Sequence, residues 1–371
     1  MNDPRRSVDG YIPTLDGWRA VAIGLVLLAH ASDSIRQVMP AFSVPHAVGL
    51  LGVQIFFGIS GFLITTIILR DERKRGRLSL RAFYLRRAFR ILPAAIGFLL
   101  VAGALALVGV IPITPGRWWA TLLFFSNYST AEGTWYVGHF WSLAVEEHFY
   151  LVWPVAFVLL GTPSRRLAFV IVSMATIAFW RAVDFKFHLT WTSPEVFFGR
   201  TDIQVDSILG GAAIALLYAL PRCRSGLERW LALSTSQITL LVGILAIQVG
   251  TPGWKTAFLL VTVKSLLIPL LLVSTVFRPD APGGRVLETA PLRRIGVASY
   301  SLYLYQQLFL VWDDSRADAL SMVQSFPANL VCAFVAAYAS MRLIELPMIA
   351  LGHRLSRNMG VSTAVETNPI R

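Results

Sequence analysis

The chain has 371 residues, 55% hydrophobic and only 15% charged, with a mean hydropathy of +0.61. That charged fraction is too small for a soluble protein of this length and indicates a chain that crosses a bilayer several times. A net charge of +12 would also suit a nucleic-acid partner, but in a membrane protein a basic excess gathers in cytoplasmic loops, so its placement must decide.

Apolar runs long enough to cross about 30 Å of hydrocarbon centre on residues 17–34, 48–69, 91–111, 139–160, 166–184, 203–220, 236–250, 257–277, 296–312 and 327–349. The expected fold is therefore all-α: a polytopic integral membrane protein with about ten transmembrane helices. The run at 118–128 is apolar but short, and reads as interfacial or re-entrant. With both termini cytoplasmic, inside segments hold 23 Lys and Arg and outside loops hold six. The positive-inside rule supports this orientation. The basic residues spread along one rim and form no aromatic-studded patch, which argues against nucleic acid. Residues 1–354 read as one membrane-embedded domain, and 355–371 as a polar, disordered cytoplasmic tail. Cys223 and Cys332 stand too far apart for a CxxC pair and make no disulfide framework, so neither metal nor redox chemistry is expected.

In the first run, Arg19 and His30 are eleven residues apart. On a helix that spacing places both side chains on one face, about 16 Å apart along the axis. Ionisable groups in a spanning segment are costly and mark functional sites by default. Histidine is suited to take a proton from a hydroxyl near neutral pH, although a packed structural histidine fits the same position. Ala29-His30-Ala31 after an apolar run imitates a signal-peptide cleavage site, but Arg19 abutting that run and the acids Asp9 and Asp16 before it argue for retention.

The second run carries Gly58 and Gly61, small residues that let helix backbones approach closely. Before the third run lie Arg86, Arg87 and Arg90, with Arg87 and Arg90 sharing a helix face. They could hold phosphates of a nucleotide-like donor by forked hydrogen bonds or anchor the chain to anionic headgroups. In the fourth run, Glu146 and Glu147 are expected at the depth of His30, where a carboxylate would fix the imidazole tautomer. Adjacent residues point about 100° apart, so only one of the two can face it. Arg342 and Glu345, three apart in the last run, are expected to pair. Arg181, Asp206 and Lys264 also lie within or near spans and suggest no role.

These stretches together resemble the acyltransferase type 3 family of integral membrane proteins. The resemblance rests on Leu15-Asp-Gly-Trp-Arg19 with His30, Phe56 to Thr65, and Phe83 to Pro93 with its Arg-x-x-Arg. It rests equally on Phe124 to Tyr128, Trp141 to Glu147 with Phe149 to Pro154, and Ser299 to Tyr303. It implies a ten-helix domain in the plasma (inner) membrane that moves an acyl group, commonly acetyl, from cytoplasmic acyl-CoA to a hydroxyl of an envelope or secreted carbohydrate. His30 would be the catalytic histidine, Glu146 and Glu147 the matching acids, and Arg19, Arg87 and Arg90 donor-side residues, with Arg86 in the same basic turn. No permanently bound cofactor is expected; acyl-CoA, a carbohydrate acceptor and membrane lipids are the expected partners. Direct transfer and an acyl-histidine relay stay open.

The chain departs from the family pattern at Gln54, where many relatives have an acid, at His148, where glutamine is common, and at Gln306 and Gln307, where a histidine often follows the tyrosines. Some relatives add an extracytoplasmic esterase domain that these 371 residues leave no room for, so transfer should finish within the membrane. Buried Arg, His and Glu would also serve a secondary transporter for an anionic solute, but no repeat or matched pair of broken helices is present. A non-catalytic sensor or scaffold is the third reading.

Overall fold

The computed structural model describes residues 11–130, 135–190, 199–231, 233–248, 260–312 and 315–358, and among these every regular element is helical. In chain order they are α1 (Pro13–His30), α2 (Ser32–Val38), α3 (His46–Arg75), α4 (Leu80–Leu107), α5 (Pro115–Leu122), α6 (Trp135–Gly138), α7 (Phe140–Leu160) and α8 (Pro163–Phe187). There follow α9 (Thr201–Gln204), α10 (Asp206–Ala219), α11 (Pro221–Leu231), α12 (Ser234–Gln248), α13 (Val261–Phe277), α14 (Pro282–Leu287), α15 (Ala290–Phe309), α16 (Ala328–Ser340) and, after a π-helical turn at Met341–Glu345, α17 (Leu346–Asn358).

Among the described residues, five helical stretches are long and apolar enough to cross a membrane, or seven if two bent pairs each count as one span. The first expected span is one of those pairs: α1 ends at His30, and α2 leaves at 58° to it. The runs expected at 203–220 and 257–277 are represented by α10, of 14 residues, and α13, of 17, both shorter than a full crossing. Residues 249–250 of the run expected at 236–250 and residues 257–259 of the run expected at 257–277 lie outside the described residues. The short run at 118–128 forms α5, a turn and a 3-10 helix at Ser126–Tyr128. α17 continues to Asn358, and Ser356 is buried with its hydroxyl donating to the His353 carbonyl. Residues 359–371 lie outside the described residues.

The basic stretch between the second and third runs is not a loop. α3 runs to Arg75 and stops at Gly76, which takes the left-handed conformation (φ 72°) open to glycine. Ser79 then caps α4 by accepting from the Ala82 amide. Arg86, Arg87 and Arg90 therefore stand on a helix. Arg166 at the start of α8 is 1% exposed; it forks onto both oxygens of Glu72 at 2.7 Å and lies 3.5 Å over the Phe157 ring. That bidentate contact joins α8 to the end of α3.

α3 is the central packing element, flanked by α1, α10 and α13, while α15 lies between α1 and α16, and α4 lies against α17. Glycines set how close these axes come. A Cβ on Gly61 would overlap the Ile208 carbonyl oxygen of α10, and one on Gly211 would overlap that of Gly58. The small residues of the second run thus make the helix crossing that the sequence indicated. Gly24, facing open space on α1, provides a control. Gly61→Val should lower the thermal unfolding midpoint of the detergent-solubilised protein, a loss on the order of 1–3 kcal/mol or more, whereas Gly24→Ala should leave it unchanged; equal midpoints would remove this account of the α3–α10 crossing.

Candidate functional site

Helical periodicity aligns Ser142, Glu146 and Tyr150 on one face of α7 and Gly296, Ser299, Tyr300 and Tyr303 on one face of α15. Between these faces, α1, α3 and α4 enclose a cavity of about 120 Å³, to which Arg19, Arg87 and Arg90 also contribute.

The cavity brings together three guanidinium groups and three carboxylates. Arg19 donates to Asp16 at 2.7 Å, and Asp16 also accepts from the Tyr11 hydroxyl. Arg87 lies 4.6 Å over the ring of Tyr150. Glu146 accepts from Ser60 at 3.1 Å and from Tyr150 at 2.8 Å. Glu147 lines the same wall, and Glu345, which accepts from Ser301 at 2.7 Å, closes the floor beside Arg90. The expected Arg342–Glu345 pair does not form: the π turn widens the helix at these residues, sending Glu345 inward while Arg342 donates to the Tyr338 hydroxyl. Arg86 is also turned away from the cavity, donating instead to Asp71 of α3 at 3.0 Å.

His30 is not among the residues that line this cavity. Its Nδ1 lies 2.7 Å from Gln306 Oε1, so an amide, and neither glutamate, holds the imidazole. The next residue repeats the arrangement, with Gln307 Oε1 2.5 Å from His139 Nδ1 and accepting the His139 backbone N–H at 2.9 Å. The expected contact of a glutamate with His30 is not formed: His139, held by the glutamine next to Gln306, immediately precedes α7 and stands seven residues, about two turns, before Glu146. Near His139 stand the hydroxyls of Ser142 and Tyr303, 2.6 Å apart and both within hydrogen-bond reach of its carbonyl. Arg19 and His30 do share a face of α1, but Arg19 lines the cavity and His30 does not.

The residues flagged as departures divide in the same way. Gln306 is the partner of His30. His148 sits apart, its Nδ1 2.7 Å from Thr201 and its ring against Phe125. Gln54 is buried with its side-chain oxygen unpaired among the described residues. Sequence reasoning passed over Tyr150, Tyr300, Tyr303 and His139. The i, i+4, i+8 spacing from Ser142 would have found Tyr150, whereas Tyr300, Tyr303 and His139 emerge only when α7 and α15 are packed.

The charged residues for which the sequence suggested no role have partners. Arg181 donates to Asp206, which also accepts from Thr262 at 3.0 Å, and Lys264 donates to Gln248 at 2.8 Å.

Residues 12–345 match the family model described as an acyltransferase domain. Similar curated proteins include "Putative O-acetyltransferase" of Staphylococcus aureus strain COL, 28% identical over 91% of this chain and 57% of that protein. The peptidoglycan O-acetyltransferase OatA of Listeria monocytogenes is 26% identical over 91% of this chain and 56% of its own length. The O-acetyltransferase OatA of Staphylococcus aureus strain NCTC 8325 is 25% identical over 93% and 58%. The chain thus spans little more than half the length of the curated relatives it matches. No solved structure matches it. With the domain match covering most of its length and the motif residues gathered on α1, α3, α4, α7 and α15, the chain belongs to the acyltransferase type 3 family.

Proposed function

We propose that the chain is an O-acyltransferase of the plasma (inner) membrane that moves an acyl group, acetyl foremost, from cytoplasmic acyl-CoA to a hydroxyl of an envelope or secreted carbohydrate. In this reading residues 1–354 form one membrane domain of ten spans with both termini cytoplasmic, the short apolar α10 and α13 and the 20-residue α15 completing the count. The asymmetry of Lys and Arg between the two sets of loops supports it.

The observation that carries the proposal is the convergence of Arg19, Arg87 and Arg90 in one cavity at the N-terminal end of the helix that carries His30. Forked guanidinium donors suit the phosphates of a CoA donor. Glu146 and Glu147 set the arginine positions and keep the cavity from collapsing onto uncompensated positive charge. The donor's thioester arm passes Tyr303 and Ser142 to reach His30, about 16 Å along α1 from Arg19.

At that end, Gln306 Oε1 can only accept, so Nδ1 carries the hydrogen and Nε2 the lone pair. Nε2 takes the proton of the acceptor hydroxyl as its oxygen attacks the thioester carbonyl. The carbon–oxygen bond forms, the carbon–sulfur bond breaks, and the proton passes from the imidazolium to the departing thiolate. An amide partner fixes the tautomer as a carboxylate would, but adds no charge to stabilise the imidazolium.

His30→Ala should abolish acyl transfer in membranes where the protein is inserted at the wild-type level; retained turnover would sink the mechanism. Arg87→Ala or Arg90→Ala should raise the apparent KM for acetyl-CoA by about tenfold, the equivalent of roughly 1.4 kcal/mol, with Arg86→Ala near wild type. Release of free CoA thiol is the readout, and equal donor KM values in all three variants would assign the arginines to another task. Nitrogen-15 spectra of histidine-labelled protein should show His30 protonated at Nδ1, a preference that Gln306→Leu removes. A resonance with the hydrogen on Nε2 in the wild type would overturn the assigned tautomer.

A further inference from the structure

The two consecutive glutamines of α15 each hold one histidine, and they do so differently. Gln306 Oε1 meets His30 at Nδ1. Gln307 Oε1 meets His139 twice, accepting its backbone N–H at 2.9 Å and lying 2.5 Å from its Nδ1. A backbone N–H can only donate, so the atom it meets is fixed as the amide oxygen, which in turn fixes the His139 hydrogen on Nδ1. Both lone pairs of that oxygen are then engaged.

His139 is gripped on its other side as well. Tyr303 stands one helical turn before Gln307 on the same face of α15. Its hydroxyl donates to the His139 carbonyl at 3.2 Å, and the two rings meet edge to face at 5.5 Å. His139 immediately precedes α7 and is buried, so water does not compete for these bonds. The face of α15 that carries residues 303 and 307 is thereby tied to the start of α7 at three polar atoms of one residue.

A glutamine side chain turns about several bonds, so where Gln306 places its oxygen depends on where the backbone of α15 stands. Adjacent residues of a helix point about 100° apart. At one rotation of α15, residue 307 faces the start of α7 while residue 306 faces the end of α1, and a turn of the helix that released His139 would also draw Gln306 off His30. Gly296 brings α15 against the Asp16 carbonyl of α1, but that contact lies ten residues, about 15 Å, before Gln306. We propose that Gln307 is a positioning residue for His30: by clamping His139 it sets the rotation of α15 and so holds Gln306 on the imidazole that takes the acceptor proton. This rests on the reading above for what His30 does, but not for the clamp itself.

The test uses the full chain in lipid nanodiscs and compares Gln307→Met, which keeps length and bulk but loses the amide oxygen, with Gln307→Glu, which keeps an acceptor oxygen at the same reach. Acyl transfer from acetyl-CoA and nitrogen-15 histidine spectra are the readouts. Gln307→Met should lower kcat about tenfold or more at an unchanged donor KM, as expected for a base held off its aim, and should divide the His30 hydrogen between Nδ1 and Nε2. Gln307→Glu should recover most of both. A wild-type kcat in Gln307→Met, a loss that falls on donor KM instead, a His30 hydrogen that stays on Nδ1, or no recovery in Gln307→Glu overturns the positioning role. A shift of the His30 hydrogen in Gln307→Met with no acyl transfer by the wild type would overturn the enzymatic reading and leave the clamp standing, whereas transfer insensitive to Gln307→Met would do the reverse.

Discussion

A guanidinium or carboxylate taken out of water into a helical bundle is tolerated only where the protein supplies its partners, because the desolvation of each ion costs several kcal/mol after relaxation. This chain meets that requirement in two ways. Arg166 with Glu72, Arg86 with Asp71 and Arg181 with Asp206 are pairs that join helix to helix. Arg87, Arg90, Glu146, Glu147 and Glu345 are arranged instead around an open volume. The first set spends its hydrogen bonds on the fold, while the second keeps charged groups facing a space that a ligand can enter.

That space depends on close packing elsewhere. Gly61 and Gly211 bring α3 and α10 into backbone contact, and Gly296 brings α15 against the Asp16 carbonyl of α1. Helices drawn together by missing side chains at these crossings are held rigidly, so the bulky Arg, Glu and Tyr side chains of α4, α7 and α15 can diverge around the cavity without letting it collapse. Tyr303 and Ser142 line that cavity and reach the His139 carbonyl, while His30 and His139 are each held by one of two consecutive glutamines. The arrangement orders the proposed reaction in space: phosphates at the arginines, proton transfer at His30.

Much of this was legible residue by residue. The spacing of Arg19 and His30, the small residues at 58 and 61, the pairing of Arg87 with Arg90 on one face and the all-helical class each follow from helix geometry and composition, because a helix of known period fixes which side chains share a face. The partner of His30 was not legible. Glu146 and Glu147 were the natural candidates by charge, and Gln306 stood out only as a departure from a family pattern. The difference is one of depth: about two turns separate Glu146 from His139, which the glutamine next to Gln306 holds, and depth depends on how far one helix slides against its neighbour.

By itself, then, the sequence determined composition, helical class, membrane residence and the faces on which reactive side chains stand, since these depend on local periodicity and on the cost of polar groups in hydrocarbon. Only the tertiary structure decided that Arg86 turns to Asp71 while Arg87 and Arg90 turn inward, that the π turn aims Glu345 into the cavity, and that an amide rather than a carboxylate holds His30. Those outcomes rest on axial register and rotation between helices distant in the chain. Close contacts such as Gly61 on Ile208 set that register, and no single helix carries it.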